Sequence, residues 1–205
     1  MPKKCVIISG GEFCPIEAPD PEAFVIACDR GYEYALRCGI KPDLLISDFD
    51  SYSGPIDPAV PVDRFRSEKD DTDTMIALRW AVERGYEEAE LLCALGGRLD
   101  HTLANIQSAV FAAVRGVNTV IKDARTELRV LTRGKLILKR REHWVLSLFS
   151  LSDECRGVSV RGAEYPLDRA LLTNRFPLGV SNEWATEEAE IELESGLLLV
   201  VQAKC

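Results

Sequence analysis

No two of the seven cysteines in this 205-residue chain are spaced as C-x-x-C, and seven is an odd number. Neither a zinc ribbon nor a complete disulfide framework fits that set, so the cysteines are expected to be reduced core residues of a cytoplasmic protein. Cys28 and Cys93, inside apolar runs, suit that reading. Long apolar runs are also missing. The first, Cys5 to Ile8, is too short for a signal sequence, and no segment reaches the length needed to span a bilayer. Positive charge is scarce: 33 acidic side chains face 25 basic ones, giving a formal charge of -8. Such a chain repels nucleic acid and anionic membrane, and its densest basic stretch, Lys139-Arg140-Arg141, is too small to reverse this. The phosphate loop G-x-x-x-x-G-K-[ST] is absent, as are internal repeats and low-complexity segments.

What remains is an ordinary globular composition, 46% hydrophobic and 28% charged, long enough for one or two domains. In the first part short β-rich runs ("CVIIS", "AFVIAC", "DLLIS", "AELLCAL", "NTVIKD") alternate with helical spacing, the pattern of a parallel sheet covered by helices. Residues 98 to 115 predict a helix with Leu99, Leu103, Ile106, Val110 and Val114 as its buried stripe. A second helix is expected from about Asp71 to Arg84, burying Met75, Leu78 and Val82 and stopping at Gly85. Beyond about residue 124 strand-like runs follow one another without a helix. The expected fold class is therefore α/β: an N-terminal parallel-sheet α/β domain over 1–124, followed by a closely packed C-terminal all-β sandwich over 125–205.

Acidic residues gather at the joints of the first domain. "DLLISDFDS" ends a strand with Asp48 and Asp50, which point to one face of an extended chain. "EKDDTDT" places Asp73 in the first turn of a helix that Asp71 or Thr72 would cap. "LGGRLDHTLAN" runs from a strand through Gly96 and Gly97 into the long helix, a setting in which backbone N–H groups approach an anion, with Arg98 and Asp100 beside it. His101, Asn105 and Ser108 share the side of that helix away from its apolar stripe. Asp29 ends the strand "AFVIAC". In an open parallel sheet such strand ends share one edge, where ligands bind. Two carboxylates about 4 Å apart repel by roughly 4 kcal/mol at an effective dielectric of 20, so the group calls for a cation. Mg2+, with its preference for carboxylate, water and phosphate oxygen, is the natural one, and a Mg-dependent nucleotide-phosphate site is the expectation.

"DRGYEYALRCGIKPDLLISDFDS", "EKDDTDTMIAL", "GGRLDHTLANI", "GAEYPL" and "GVSNEW" together resemble the bacterial-type thiamine pyrophosphokinase (thiamine diphosphokinase) family, in order and spacing, from residue 29 onward. The resemblance implies a homodimer that transfers the pyrophosphoryl group of ATP to the hydroxyl of thiamine, giving thiamine diphosphate and AMP. It puts the Mg2+ ligands at Asp48, Asp50 and Asp73, and the acid after an early strand at Asp29. Gly96, Gly97, Arg98, Asp100, His101 and Asn105 fall near the phosphates, with Lys69 and Asp70 as further nucleotide contacts. Tyr165, Ser181, Asn182 and Trp184 fall on the thiamine side, in a site shared between one subunit's first domain and its partner's sandwich. Two positions depart from the family: Ser47 stands where Gly is common, and Trp184 where Phe or Tyr is usual. The implied reaction is in-line attack on the β-phosphorus, with Mg2+ and Arg98 neutralising charge and Asp100, ahead of Asp73, taking the hydroxyl proton. The alternatives are a related diphosphokinase with another hydroxymethyl acceptor such as a pterin, and a non-catalytic nucleotide or thiamine sensor.

Overall fold

The structure, a computed structural model, describes residues 3–48, 52–64 and 71–205. It divides into two compact units, Met1–Ala124 and Arg125–Cys205.

In the first unit the strands are β1 (Lys4–Ile8), β2 (Phe24–Cys28), β3 (Leu44–Ser47), β4 (Val62–Arg64), β5 (Glu88–Leu92) and β6 (Asn118–Lys122). They pair in parallel in the order β4-β3-β2-β1-β5-β6. β1 to β3 are almost wholly buried, as the continuous apolar runs of a sheet covered on both faces should be. The register aligns Ile8 with Ala27 and Leu92, and Cys28 with Ile46. The residues that follow these strands, Ser9, Asp29, Asp48 and Cys93, therefore emerge along one edge.

Among the described residues three helices cover the sheet: α1 (Gly31–Arg37), α2 (Asp73–Glu83) and α3 (Leu99–Ala113). α1 starts close against β1, because a Cβ on Gly31 would lie 1.9 Å from the Ile8 carbonyl oxygen. Thr72 caps α2, its Oγ1 accepting from the Met75 N–H at 3.2 Å. α2 buries Thr74, Ile76, Ala77, Leu78 and Ala81; of its expected stripe only Leu78 is buried, while Met75 and Val82 are half-buried.

α3 corrects the expectation more sharply. Its buried residues are Asn105, Ser108, Ala109 and Ala112, whereas Leu99 is 71% and Leu103 54% exposed. Small side chains let this helix lie close to its neighbours, so residue size, which hydrophobic periodicity does not register, selects the face.

The second unit holds only strands: β7 (Thr126–Leu131), β8 (Gly134–Lys139), β9 (Trp144–Ser150), β10 (Glu154–Arg161), β11 (Leu167–Thr173), β12 (Glu188–Leu193) and β13 (Leu198–Lys204). All pairings are antiparallel. β13 lies between β7 and β9, and a separate sheet runs β11-β10-β12-β8. Leu146, Leu148, Leu198 and Val200 from the first group meet Val158, Val160, Leu172 and Ile191 from the second in one apolar core, as in a β-sandwich.

Candidate active site

Asp29 leaves β2 with φ +48, a left-handed conformation that Asp tolerates better than most residues. Its N–H donates to the Ile46 carbonyl at 3.0 Å, and its own carbonyl accepts from the Tyr32 N–H at 3.0 Å. The bend turns the side chain, only 6% exposed, toward the neighbouring strand end, where the Ser47 hydroxyl donates to Oδ1 at 2.9 Å. Asp48, the next residue after β3, is half-buried, and Asp73 opens α2. The start of α2 is pinned to the end of β1 by a 2.9 Å hydrogen bond between the buried Ser9 and Thr74 hydroxyls.

These supports bring one carboxylate oxygen each of Asp29, Asp48 and Asp73 within 4.8 Å of one another. Among the described residues this is the one group of three or more acids, cysteines or histidines close enough to share a cation. The neighbouring Cys28 thiol registers the field: burial first, then the charges of Asp73, Cys5 and Asp29, hold its pKa well above the ordinary value. Three hard oxygen donors and no nitrogen or sulfur suit Mg2+. Asp29, which the resemblance set apart from the metal ligands, thus stands with Asp48 and Asp73. Asp50, Lys69 and Asp70 lie outside the described residues.

The turn between β5 and α3 has Gly96 at φ +76 and Gly97 at φ +64, which glycine adopts without strain. The Gly97 N–H donates to Glu12 Oε2 at 3.1 Å, and a Cβ on Gly96 would come within 2.4 Å of the same oxygen. A carboxylate therefore already rests on an N–H that the sequence offered to an anion. Arg98 and Asp100 form a 2.6 Å ion pair with both side chains mostly exposed. The hydrogen bond between them raises the Arg98 pKa and lowers that of Asp100. His101 is exposed; Asn105 is 6% exposed, its Nδ2 donating to the Ala94 carbonyl at 2.7 Å. Asn105 thus ties α3 to the end of the strand before it.

In the second unit Tyr165 is 69% exposed, and its backbone is gripped by Asn182. Asn182 Oδ1 accepts from the Tyr165 N–H at 3.0 Å, and Nδ2 donates to the Tyr165 carbonyl at 2.7 Å. Ser181 has φ +58, and its N–H donates to Ser147 Oγ at 2.9 Å. Trp184, half-buried, donates from Nε1 to the Trp144 carbonyl at 2.8 Å and packs on the sandwich core. Tyr165 is the exposed aromatic surface of this group, and Asn182 holds its backbone.

Glu12 was not legible as a site residue. Its only signal is Gly10-Gly11 at the end of an apolar strand, a second place where the backbone turns tightly beside the sheet edge.

The family model for the catalytic domain of thiamin pyrophosphokinase matches residues 19–121, and the model for its vitamin B1 binding domain matches residues 135–198. The thiamine pyrophosphokinase of Bacillus subtilis is 28% identical over 194 residues, covering 90% of this chain and 89% of that one. The crystal structure of a thiamine pyrophosphokinase from the same organism superposes with a TM-score of 0.91 at 25% identity, covering 99% of this chain and 100% of that chain. One from Geobacillus thermodenitrificans gives 0.86 at 26% identity and 98% of each chain. The two models fall on the two units in turn, the first alone takes in half of the sequence, and the chain belongs to the thiamin pyrophosphokinase family.

Proposed function

We propose that this chain is a Mg-dependent thiamine pyrophosphokinase, moving the pyrophosphoryl group of ATP to the thiamine hydroxyl and releasing AMP. The observation that carries the reading is the convergence of Asp29, Asp48 and Asp73 at the strand-end edge of a catalytic domain of this family. Those three carboxylates, with Asp50, would hold Mg2+. A metal bound there supplies charge neutralisation for the triphosphate oxygens. The Gly96-Gly97 turn and the start of α3 offer backbone N–H groups to a phosphate once Glu12 has moved aside, and Arg98 offers a mobile guanidinium to the transferred group. His101, on the first turn of α3, borders the same seat. Asn105 keeps the helix start in place, and Lys69 and Asp70 contribute from the segment leading to α2.

The thiamine hydroxyl must lose a proton as the new P–O bond forms. Asp100 is assigned that proton ahead of Asp73, because a carboxylate committed to a metal is the poorer base. Asp100 in turn is bound to Arg98 in the resting site, so the phosphates must draw the guanidinium away before Asp100 can accept. Tyr165 gives the thiamine ring a surface, Ser181 and Asn182 supply polar contacts, and Trp184 adds a wall. The working unit is a homodimer whose thiamine site draws on the first domain of one subunit and the sandwich of the other. None of the helices among the described residues is long and apolar enough to cross a membrane, and seven free cysteines suit the reducing cytoplasm.

The test is formation of thiamine diphosphate and AMP from ATP, Mg2+ and thiamine, with Asp48→Asn beside the natural chain. Product from the natural chain and at least a hundredfold less from the variant is the expected result. Product with a pterin but not with thiamine, or thiamine binding without AMP, would overturn it.

A further inference from the structure

Two thiols far apart in sequence meet beside the Gly96-Gly97 turn. Cys14 Sγ lies 3.6 Å from Cys93 Sγ, between two residues 79 positions apart. The backbone holds them there. The Gly11 N–H donates to the Cys93 carbonyl at 2.9 Å, the Tyr34 hydroxyl donates to the Gly11 carbonyl at 2.9 Å, and Phe13 packs on the Tyr34 ring at 5.2 Å. Cys93 is 1% exposed and sits at φ +52, a conformation in which few side chains other than Asn and Asp are found. Cys14, half-buried, closes the outer side of the same apolar cluster. One residue of the pair is thus partly exposed and the other buried.

The pair is also electronically unequal. The hydrogen bond shared with Cys93 lowers the Cys14 pKa, despite partial burial, and so favours its thiolate form. The same contact, and then burial, push Cys93 the other way. An accessible thiolate backed by a protonated thiol is the arrangement that favours stepwise oxidation to a disulfide.

We infer that Cys14 and Cys93 form an oxidative modification site for hydrogen peroxide, closing an intramolecular disulfide that fixes Glu12 over the Gly97 N–H. The Cys14 thiolate attacks one peroxide oxygen and the O–O bond breaks. The oxygen becomes a sulfenic acid on Cys14, and the departing hydroxide takes a proton to become water. Cys93 then loses its proton and attacks the Cys14 sulfur, expelling a second hydroxide that is protonated to water. Two thiols give up two electrons, one peroxide accepts them, and two waters leave. Glu12 is two residues from Cys14 and rests on Gly97, four residues from Cys93. A bridge between the two segments keeps that carboxylate from yielding its place, which, on the reading of the turn as the phosphate seat, weakens ATP.

The experiment treats the reduced full chain with hydrogen peroxide and then maps thiols by mass and measures the KM for ATP. The expected result is a mass loss of about 2 Da, a peptide bridging Cys14 to Cys93, and a severalfold rise in the KM for ATP, all reversed by dithiothreitol. Cys14→Ser and Cys93→Ser should show neither the bridge nor the rise, and Cys93→Ser should leave a sulfenic acid on Cys14 that dimedone traps. A bridge to Cys38 or Cys205, overoxidation of Cys14 without a bridge, or a Cys14–Cys93 bridge with unchanged KM would overturn the inference. AMP formation by the reduced chain tests the pyrophosphokinase reading separately, and the peptide map does not depend on it.

Discussion

The Ser47 hydroxyl donates a 2.9 Å hydrogen bond to Asp29 Oδ1, between side chains that are 0% and 6% exposed. Serine here does more than fill the space of a glycine: it orients the most buried carboxylate of the acidic group. Partners that orient a metal ligand typically contribute ten- to a hundredfold to metal affinity. Ser47→Ala is therefore expected to raise the Mg2+ concentration for half-maximal AMP release by about tenfold at saturating ATP. An unchanged Mg2+ dependence would show that Asp29 needs no such support.

The Thr72 cap leads to a prediction that separates folding from chemistry. Its hydroxyl accepts from the Met75 N–H, and the next residue is Asp73. Removing the cap should cost about 1 kcal/mol of stability and let the first turn of α2 fray, carrying Asp73 with it. Thr72→Ala should thus lower both the denaturation midpoint and AMP formation, while Thr72→Ser keeps both. Lost stability with full activity would mean that Asp73 does not depend on the cap for its position.

The parts of this protein that were legible in its sequence are those set by hydrophobic pattern and by the chemistry of strand ends. The parallel strands, the helix-free second part and the acids at one sheet edge all follow from such patterns. The buried face of α3 did not, because Ala109, Ala112, Ser108 and Asn105 pack through small size and one hydrogen bond, while the more hydrophobic Leu99 and Leu103 are left outside. Its strand-end position already put Asp29 at that edge, but the approach of its carboxylate to those of Asp48 and Asp73 goes with a φ of +48 that no periodicity reveals. Glu12 meets Gly97 and Cys14 meets Cys93 from more than 75 residues away, brought there by the pairing of β1 with β5 and by the Gly11 N–H bond to the Cys93 carbonyl.

In the second unit Glu127 is 4% exposed and bound by two arginines, Arg129 at 2.8 Å and Arg141 at 2.5 Å. Burial alone would raise its pKa, but the Arg129 charge and the hydrogen bonds from both arginines outweigh this and lower it. A carboxylate whose folded pKa lies below its unfolded value adds stability that is fully present above the unfolded pKa and disappears as pH falls through the folded one. The natural chain should therefore lose stability below about pH 4.5, and Glu127→Gln should flatten that part of the profile while costing about 3 kcal/mol at pH 7. Thermal unfolding followed from pH 7 to 3 checks this; parallel profiles for the two proteins would remove Glu127 from acid sensitivity.

Asp100 has two possible ways to matter, and they predict different arithmetic. As proton acceptor it acts on the thiamine hydroxyl directly, so Asp100→Asn should lower kcat by about a hundredfold or more with the KM for ATP nearly unchanged. As a tether for Arg98, to which it is paired at 2.6 Å, it acts only through the guanidinium. The double variant Arg98→Ala/Asp100→Asn distinguishes these. If Asp100 serves only to hold Arg98, the double variant is no slower than Arg98→Ala alone; if it accepts the proton, the double variant is slower still by a factor close to that of Asp100→Asn. The pH profile gives an independent check. In the free chain the Arg98 hydrogen bond holds the Asp100 pKa below the ordinary carboxylate range, so Asp100 stays ionised through mild acid and its own titration should not reduce kcat/KM between pH 7 and about 5. An acid limb of kcat/KM in that window that vanishes in Asp100→Asn would mean that the pair with Arg98 does not keep Asp100 ionised before substrate binds.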